Sequence, residues 1–484
     1  MSEMGITAVA GYIPRLRLSR KVIANAHSWA QPGLKSLAKG ERAFCDHDED
    51  AITMAVAAAA PSCRSLGTGT ISSLLLASTS LPFVDRQNAG IVGEALGLGE
   101  DIHTADVTGS QRAGTSALIQ ALQSTGGAKL VVAAEKRLCK PGSVLEMTSG
   151  DAAASVLVSS DNVVARYLGA HTVSRDFVDH YRSPSMPFDY SFEERWIRDE
   201  GLMKIIPQAV SRLLEKTGVK AGEIDRLVIP VNALRTAQMI ARKCGIDPES
   251  VQDNLQEKCG DVGCARPLLL LADAIDSAVS GEKILVVGFG QGCDALLFET
   301  TENIAHFNSA GQIGAELEKG ISDTNYMRYL SFNGLIQMDW GIRAERDKRT
   351  AQSAFYRKRE TLTGFVGGKC SACQTVQFPK TKICVNPECQ RSDTQVDEPL
   401  RDKTGYVKSY TEDWLAHSVS PPFMYGSVRF ENKCTLMMEF AGFDPGELAT
   451  DRPVSMAFRI KDRDEARGCH RYFWKAVPKV SIEA

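Results

Sequence analysis

Two groups of residues have the types and spacing to do chemistry. The first is Cys370-x2-Cys373 followed by Cys384-x4-Cys389. Two cysteine pairs on knuckle-like turns place four thiolates on a tetrahedron, the geometry of structural zinc. Gly367-Gly368 and Asn386-Pro387 supply the turns, and Lys369, Lys380 and Lys382 offset part of the thiolate charge. The second is Gln111 in DVTGSQRAGTSALIQALQS, Asp106–Ser124. This stretch predicts a strand end, a tight turn and a helix with one apolar face, on Ala113, Ala117, Leu118, Ala121 and Leu122. A helix N-terminus offers N–H groups and a favourable dipole to negative charge. A carboxamide at that position can donate and accept hydrogen bonds but cannot be acylated as a thiol can.

The elements that position these groups follow from short apolar runs. Ile6–Ala10, Ser72–Ala77, Lys129–Ala134 and Ala152–Val158 read as strands, the last three buried on both faces, with helices between them. The plan then repeats. Arg226–Val231 answers Ser72–Ala77, Gly281–Gly288 answers Gly127–Ala134, and Ala295–Glu299 answers Ala152–Val158. Lys21–Ala26, Ala51–Ala60, Gly201–Thr217 and Pro267–Ala278 read as helices. The acidic run Asp46–Asp50 suits the N-terminus of the Ala-rich helix better than a metal site. Ile313–Lys319, Tyr326–Met338 and Arg343–Glu360 are charged and amphipathic, so 305–362 reads as a helical connector. Beyond the cysteines, Gly405–Thr411, Phe423–Arg429, Cys434–Phe440 and Val454–Ile460 read as strands of a small barrel.

The frame Ser110-Gln111-Arg112-Ala113-Gly114-Thr115-Ser116-Ala117-Leu118 resembles the nucleophile turn of the hydroxymethylglutaryl-CoA synthase and ketoacyl synthase III branch of the thiolase superfamily, and GYIPRLRL resembles the start of its archaeal-type synthases. The order of helix, cysteine module and barrel, with Gly442–Leu448 (GFDPGEL), resembles the DUF35 family. The resemblance implies an α/β chain with a duplicated, five-layered thiolase-like domain over 1–304. A helical connector over 305–362, a rubredoxin-like zinc ribbon over 363–398 and a small OB-type β-barrel over 399–484 would follow it.

The resemblance also implies a Cys nucleophile, a Glu acid, a His and an Asn or second His. Gln111 stands at the Cys position, Thr79 where Glu would be, Pro230 nearest the His position and Asp261 at the Asn position. None of the eight histidines (His27, His47, His103, His171, His180, His306, His417, His470) falls near Pro230 in the sequence. The expected site therefore lacks Cys, Glu and His together. Gly288–Gly292 persists as a Gly-rich loop whose N–H groups could face an oxyanion. Cys264 and Cys293 flank second-half loops, as packed core thiols or as replacement nucleophiles. Arg235 and Arg112 are the candidates for a CoA phosphate.

A formal net charge of −3 gives no electrostatic case for nucleic acid, and no apolar run spans a bilayer. The N-terminal segment does not read as a signal peptide, and thirteen cysteines in so long a chain argue against a disulfide framework, so a cytoplasmic location is expected. The reading that follows is a supporting subunit. It would be a scaffold or CoA-handling partner with a homodimeric core, docked on a separate thiolase-type protein that acts on C–C bonds beside a CoA thioester. The alternatives are a self-sufficient enzyme with non-Cys chemistry (retro-aldol, Claisen or decarboxylation) using Thr79, Gln111, Asp261 and the Gly288–Gly292 loop, and a binding module without chemistry. Gln in place of Cys does occur in ketosynthase-like decarboxylating domains, which keep their imidazoles.

Overall fold

A computed structural model describes residues 4–307, 312–345 and 350–479. The chain forms two compact units, one of 1–46, 50–93 and 98–335, the other of 336–484 with the short segments 47–49 and 94–97.

The first unit is organised by one nine-stranded mixed sheet. Its order is Arg226–Val228, Lys283–Phe289, Gly292–Thr300, Ala165–Ser174, Gly5–Tyr12, Ala152–Ser159, Ala128–Glu135, Ile71–Ala77 and His103–Val107. Read outward from the middle, the two halves repeat. Gly5–Tyr12 and Ala165–Ser174 pair with each other, each pairs antiparallel with the last strand of its half, and that strand pairs antiparallel with the next. The matching of strands expected from the repeated sequence is the matching observed, although Arg226–Val231 is a strand only as far as Val228.

Helices Ala113–Gln123 and Arg266–Asp276 bury their apolar faces in one core with these strands, Leu118, Ala121, Leu268 and Leu271 among them. Ala113, Gly114 and Ala117 are buried, as their small size allows. A second core gathers Ile205, Ile206, Leu213, Ile240, Leu285 and Leu297 on the other side of the second half. The helix Ala51–Leu66 begins where the acidic run ends. Asp50 accepts from Thr53 N–H while the Thr53 hydroxyl accepts from Asp50 N–H, a reciprocal cap.

The stretch 305–362 departs from a purely helical connector. Ile313 lies fully buried in the first core, and Ile321–Asp323 is a strand paired with Leu16–Ser19. The compact units divide after Leu335, not at 304. The amphipathic run from Tyr326 stops at Phe332, because Asn333-Gly334 turns the chain. Gly334 takes φ +66, and Leu335 N–H closes back on the Leu330 carbonyl at 2.8 Å. Of Arg343–Glu360, residues 346–349 lie outside the described residues; the rest holds short helical turns only.

In the second unit a three-stranded sheet (Val376–Gln377, Val366–Cys370, Gln395–Pro399) precedes a five-stranded antiparallel one. The order there is Thr435–Glu439, Phe423–Phe430, Gly405–Asp413, Pro453–Asp464 and Cys469–Pro478. Phe365, wholly buried, stacks on Trp474 and meets Phe378, Phe430 and Phe473 edge-on. Lys475 is buried between Asp48, at 2.9 Å, and Glu439, at 3.1 Å, while Arg459 pairs with Glu49. Asp48 and Glu49 of the acidic run are thus committed to cations rather than to the helix they precede.

Candidate functional site

Gln111 lies in the turn before helix Ala113–Gln123, where the strand–turn–helix pattern puts it. Its Nε2 is 3.4 Å from Nε2 of His180, on the short strand His180–Tyr181. The other ring nitrogen, Nδ1, is 3.2 Å from Asp179 Oδ1. That oxygen also accepts from His180 N–H at 2.9 Å and from Gln291 Nε2 at 2.8 Å. Burial pushes the Asp179 carboxyl up, but its bond to His180 and the charge there outweigh burial and hold it below the usual carboxylate range. An anion on Nδ1 fixes the imidazole with Nδ1–H inward and the Nε2 lone pair toward the Gln111 amide.

On the other side of Gln111 stands Glu135, fully buried at the end of strand Ala128–Glu135. The Thr79 hydroxyl donates to both its oxygens at 3.1 Å, and the backbone N–H groups of Thr79 and Cys264 donate at 3.3 and 3.4 Å. Gly263 is the residue that lets these groups meet. Its φ is +55, and a Cβ there would lie 2.7 Å from Gln111 Oε1 and 3.0 Å from Glu135 Oε2. Below them Arg137 pairs with Asp189, which lies 3.5 Å from Arg182, and Arg182 donates to the Thr79 carbonyl.

The chain therefore brings an imidazole and a carboxylate to the carboxamide, contrary to the expectation that both are missing. The imidazole comes from neither Pro230 nor its strand, and the carboxylate not from position 79 but from the residue bonded to it. Both could have been sought in the sequence. Glu135 is a lone acid ending the apolar run Leu130–Ala134, and ligands of α/β sheets gather at carboxyl ends of strands. Asp179-His180 is an acid–imidazole doublet in a stretch without periodicity.

Asp261 takes a supporting part. It accepts from Gly263 N–H at 3.0 Å and lies 3.6 Å from Arg266, so it holds the turn that frames Gly263. Within the Gly288–Gly292 loop, Gly290 N–H is bonded to the Gly292 carbonyl, and the Gly290 carbonyl accepts from Ser110 and Arg112 at 2.8 and 3.0 Å. A Cβ on Gly290 would sit 3.0 Å from Gln111 N, so this glycine leaves the N–H at the helix start uncovered. Arg112 is not open to a phosphate, for it pairs with Asp294 at 2.9 Å, a carboxylate also bonded by Thr115, Ser116 and Thr172. Arg235 is exposed on helix Leu234–Lys243. Burial, with the neighbouring carboxylates Glu135 and Asp294, raises the Cys264 and Cys293 thiols well above their ordinary value. Neither is a ready thiolate nucleophile.

In the second unit the sulfur atoms of Cys370, Cys373, Cys384 and Cys389 all lie within 4.8 Å of one another, with Cys370–Cys389 at 3.8 Å and Cys373–Cys384 at 3.5 Å. A tetrahedral zinc with bonds of about 2.3 Å separates its sulfurs by about 3.8 Å. The four residues fit that ion. No described helix is long and apolar enough to cross a membrane.

Residues 214–298 match the family described as 3-oxoacyl-[acyl-carrier-protein] synthase III C-terminal. The hydroxymethylglutaryl-CoA synthase of Archaeoglobus fulgidus is 27% identical over 328 residues, covering 65% of this chain and 94% of that protein. That of Aeropyrum pernix is 30% identical over 299 residues, covering 60% and 82%. Among solved structures, MvaS in complex with 3-hydroxy-3-methylglutaryl coenzyme A superposes with a TM-score of 0.58 at 18% identity, over 72% of this chain and 94% of that one. The first unit thus has the thiolase-like α/β fold.

Proposed function

The chain belongs to the hydroxymethylglutaryl-CoA synthase family, and on that premise we propose that it performs carbon–carbon chemistry beside an acyl-CoA thioester without passing the acyl group to a side chain. The observation that carries this is the Gln111 amide held 3.4 Å from an imidazole that is itself anchored on a buried carboxylate. The family's relatives act on CoA thioesters, and a solved neighbour holds one. A carboxamide cannot accept the acyl group, so the thioester stays intact and reacts as its enolate. His180 Nε2 takes the proton from the carbon next to the thioester carbonyl, and the C–H electron pair moves into the enolate. The enolate oxygen is held by Gln111 N–H at the helix start, where Gly290 leaves room and the dipole favours negative charge. The enolate then adds to a carbonyl, or, in reverse, C–C cleavage delivers it.

The first unit read as a mere scaffold explains less. A relic would not be expected to keep an Asp179–His180–Gln111 line and a fourfold-bonded Glu135 around one point. Incubation with acetyl-CoA and longer straight-chain acyl-CoAs in D2O tests the proposal. Deuterium beside the thioester, with no acyl adduct on the protein, is expected. An acylated cysteine overturns it, and exchange that arises only on adding a separate thiolase-type protein favours the subunit reading instead.

For the second unit we propose a structural zinc on Cys370, Cys373, Cys384 and Cys389, in a ribbon followed by an OB-type barrel of DUF35 type. The four sulfur positions support the ion, and the Phe440–Ala476 bridge between the outer strands of the five-stranded sheet supports a barrel.

A further inference from the structure

This inference rests on the enolate reading and adds a device to it. The Gln111 amide has its Nε2 on His180 and its Oε1 on the side of Glu135. Oε1 is buried and has no hydrogen-bond partner among the described residues. It and Glu135 Oε2 both lie within 3.0 Å of the point where a Gly263 side chain would begin. Two acceptors brought to one buried point repel unless a proton lies between them. We propose that the Gln111 carboxamide relays protonation between His180 and Glu135, so that the two work as one base–acid pair.

The pair has two arrangements that satisfy every group. In one, His180 is neutral, Gln111 Nε2–H donates to it, and a protonated Glu135 donates its O–H to Gln111 Oε1. In the other the amide has turned over. His180, now an imidazolium, donates Nε2–H to Oε1, and the amide N–H donates to an ionised Glu135. Both arrangements hold the same number of protons. A carboxamide presents a donor at one end and an acceptor at the other, and this is what links the two sites. The other charged groups are fixed. Asp179 faces His180, while Arg137, held by Asp189, and Asp261 lie around Glu135 with the protonated Cys264 thiol. Thr79 and Cys264 N–H serve Glu135 in either state.

The consequence is an aldol-type reaction. When His180 takes the proton from the carbon beside the thioester, the turned amide favours the carboxylate and Glu135 releases its proton. As the enolate carbon forms its bond to a carbonyl carbon, the carbonyl oxygen receives that proton and becomes a hydroxyl; His180 is left protonated and Glu135 ionised, and release of the His180 proton to solvent with uptake of one at Glu135 restores the starting pair. Cleavage of a 3-hydroxyacyl thioester is the same path reversed. Glu135 is then a catalytic residue, and Gln111 is what couples it to His180.

The test uses the full chain with isotope-labelled histidine and follows His180 by NMR across pH, identified by its loss in His180→Asn. Glu135→Gln removes the anion that accompanies the imidazolium and is expected to move the His180 titration midpoint down by about one pH unit. In a Gln111→Leu background, and again in Gln111→Asn, whose amide is too short to reach both sides, the same change is expected to move it by a few tenths at most. Equal shifts in all backgrounds mean that charge acts through space alone and overturn the relay, as does no shift in any. With acyl-CoA, Glu135→Gln is expected to keep proton exchange beside the thioester and to lose C–C bond formation or cleavage at least 100-fold. Retained C–C turnover overturns the role of Glu135. A wild-type chain that exchanges nothing defeats the enolate reading, while the NMR coupling still decides the relay.

Discussion

Replacing Asp179 by Asn tests the carboxylate that anchors the imidazole. The side chains of Asp179 and His180 are 11% and 19% exposed, and Oδ1 lies 3.2 Å from Nδ1. A full charge pair at that distance, at an effective dielectric near 20, is worth about 5 kcal/mol. Desolvation and partial exposure reduce it. An opposite charge this close is then worth roughly 1.4–4 kcal/mol to the imidazolium that forms when the base takes a proton. Asn keeps an acceptor for Gln291 and for His180 N–H, so the loop geometry should survive while the anion is lost. Without the anion the imidazolium formed on proton abstraction is disfavoured. The expected result is deuterium exchange beside the thioester slowed by about 10- to 1,000-fold. Circular dichroism and urea unfolding check that the fold is kept. An exchange rate within twofold of the wild type refutes His180 as the base.

Three further outcomes are expected. Lys475→Met leaves Asp48 and Glu439 buried without their shared cation and should cost about 3–5 kcal/mol in urea unfolding of the second unit. Burial works against both carboxyls, but Lys475 outweighs it and lowers them, while the same pair raises Lys475 against its own burial. Their stability is therefore present above about pH 4 and lost as pH falls through the depressed values; that of Lys475 is lost above about pH 10. Thermal melts across pH should show this plateau and lose it in Lys475→Met. Gly263→Ala puts a Cβ against Gln111 Oε1 and a side chain at φ +55, so it should cost about 1–2 kcal/mol and reduce exchange. Elemental analysis should find one zinc per chain, and its removal by chelation, or Cys384→Ser, should open 366–399 to protease.

The repeated sheet and the helix that presents Gln111 were legible because each depends on local patterns. Three largely apolar strands recur in order, and small residues mark the tight helix. The four cysteines were legible for the same reason, since their spacing fixes their geometry. The chemistry around Gln111 was not. His180 and Glu135 reach it from a short hairpin and from the end of a neighbouring strand, a juxtaposition made by the sheet order rather than by any spacing along the chain. The synthase pattern places an imidazole near Pro230 and a carboxylate at 79. Thr79 instead holds the carboxylate that the next strand provides. The amphipathic stretch after 305 misled in the other direction, because charged periodicity does not reveal that Ile313 is buried in the first core or that Ile321–Asp323 pairs as a strand.

The central claim is that the thioester is activated without being transferred to the protein. Intact-protein mass spectrometry and proton NMR of the thioester, run on one sample of the full chain with acyl-CoA in D2O, address it together. The account predicts deuterium on the carbon beside the carbonyl and a protein of unchanged mass; a protein carrying the acyl group on a cysteine contradicts it.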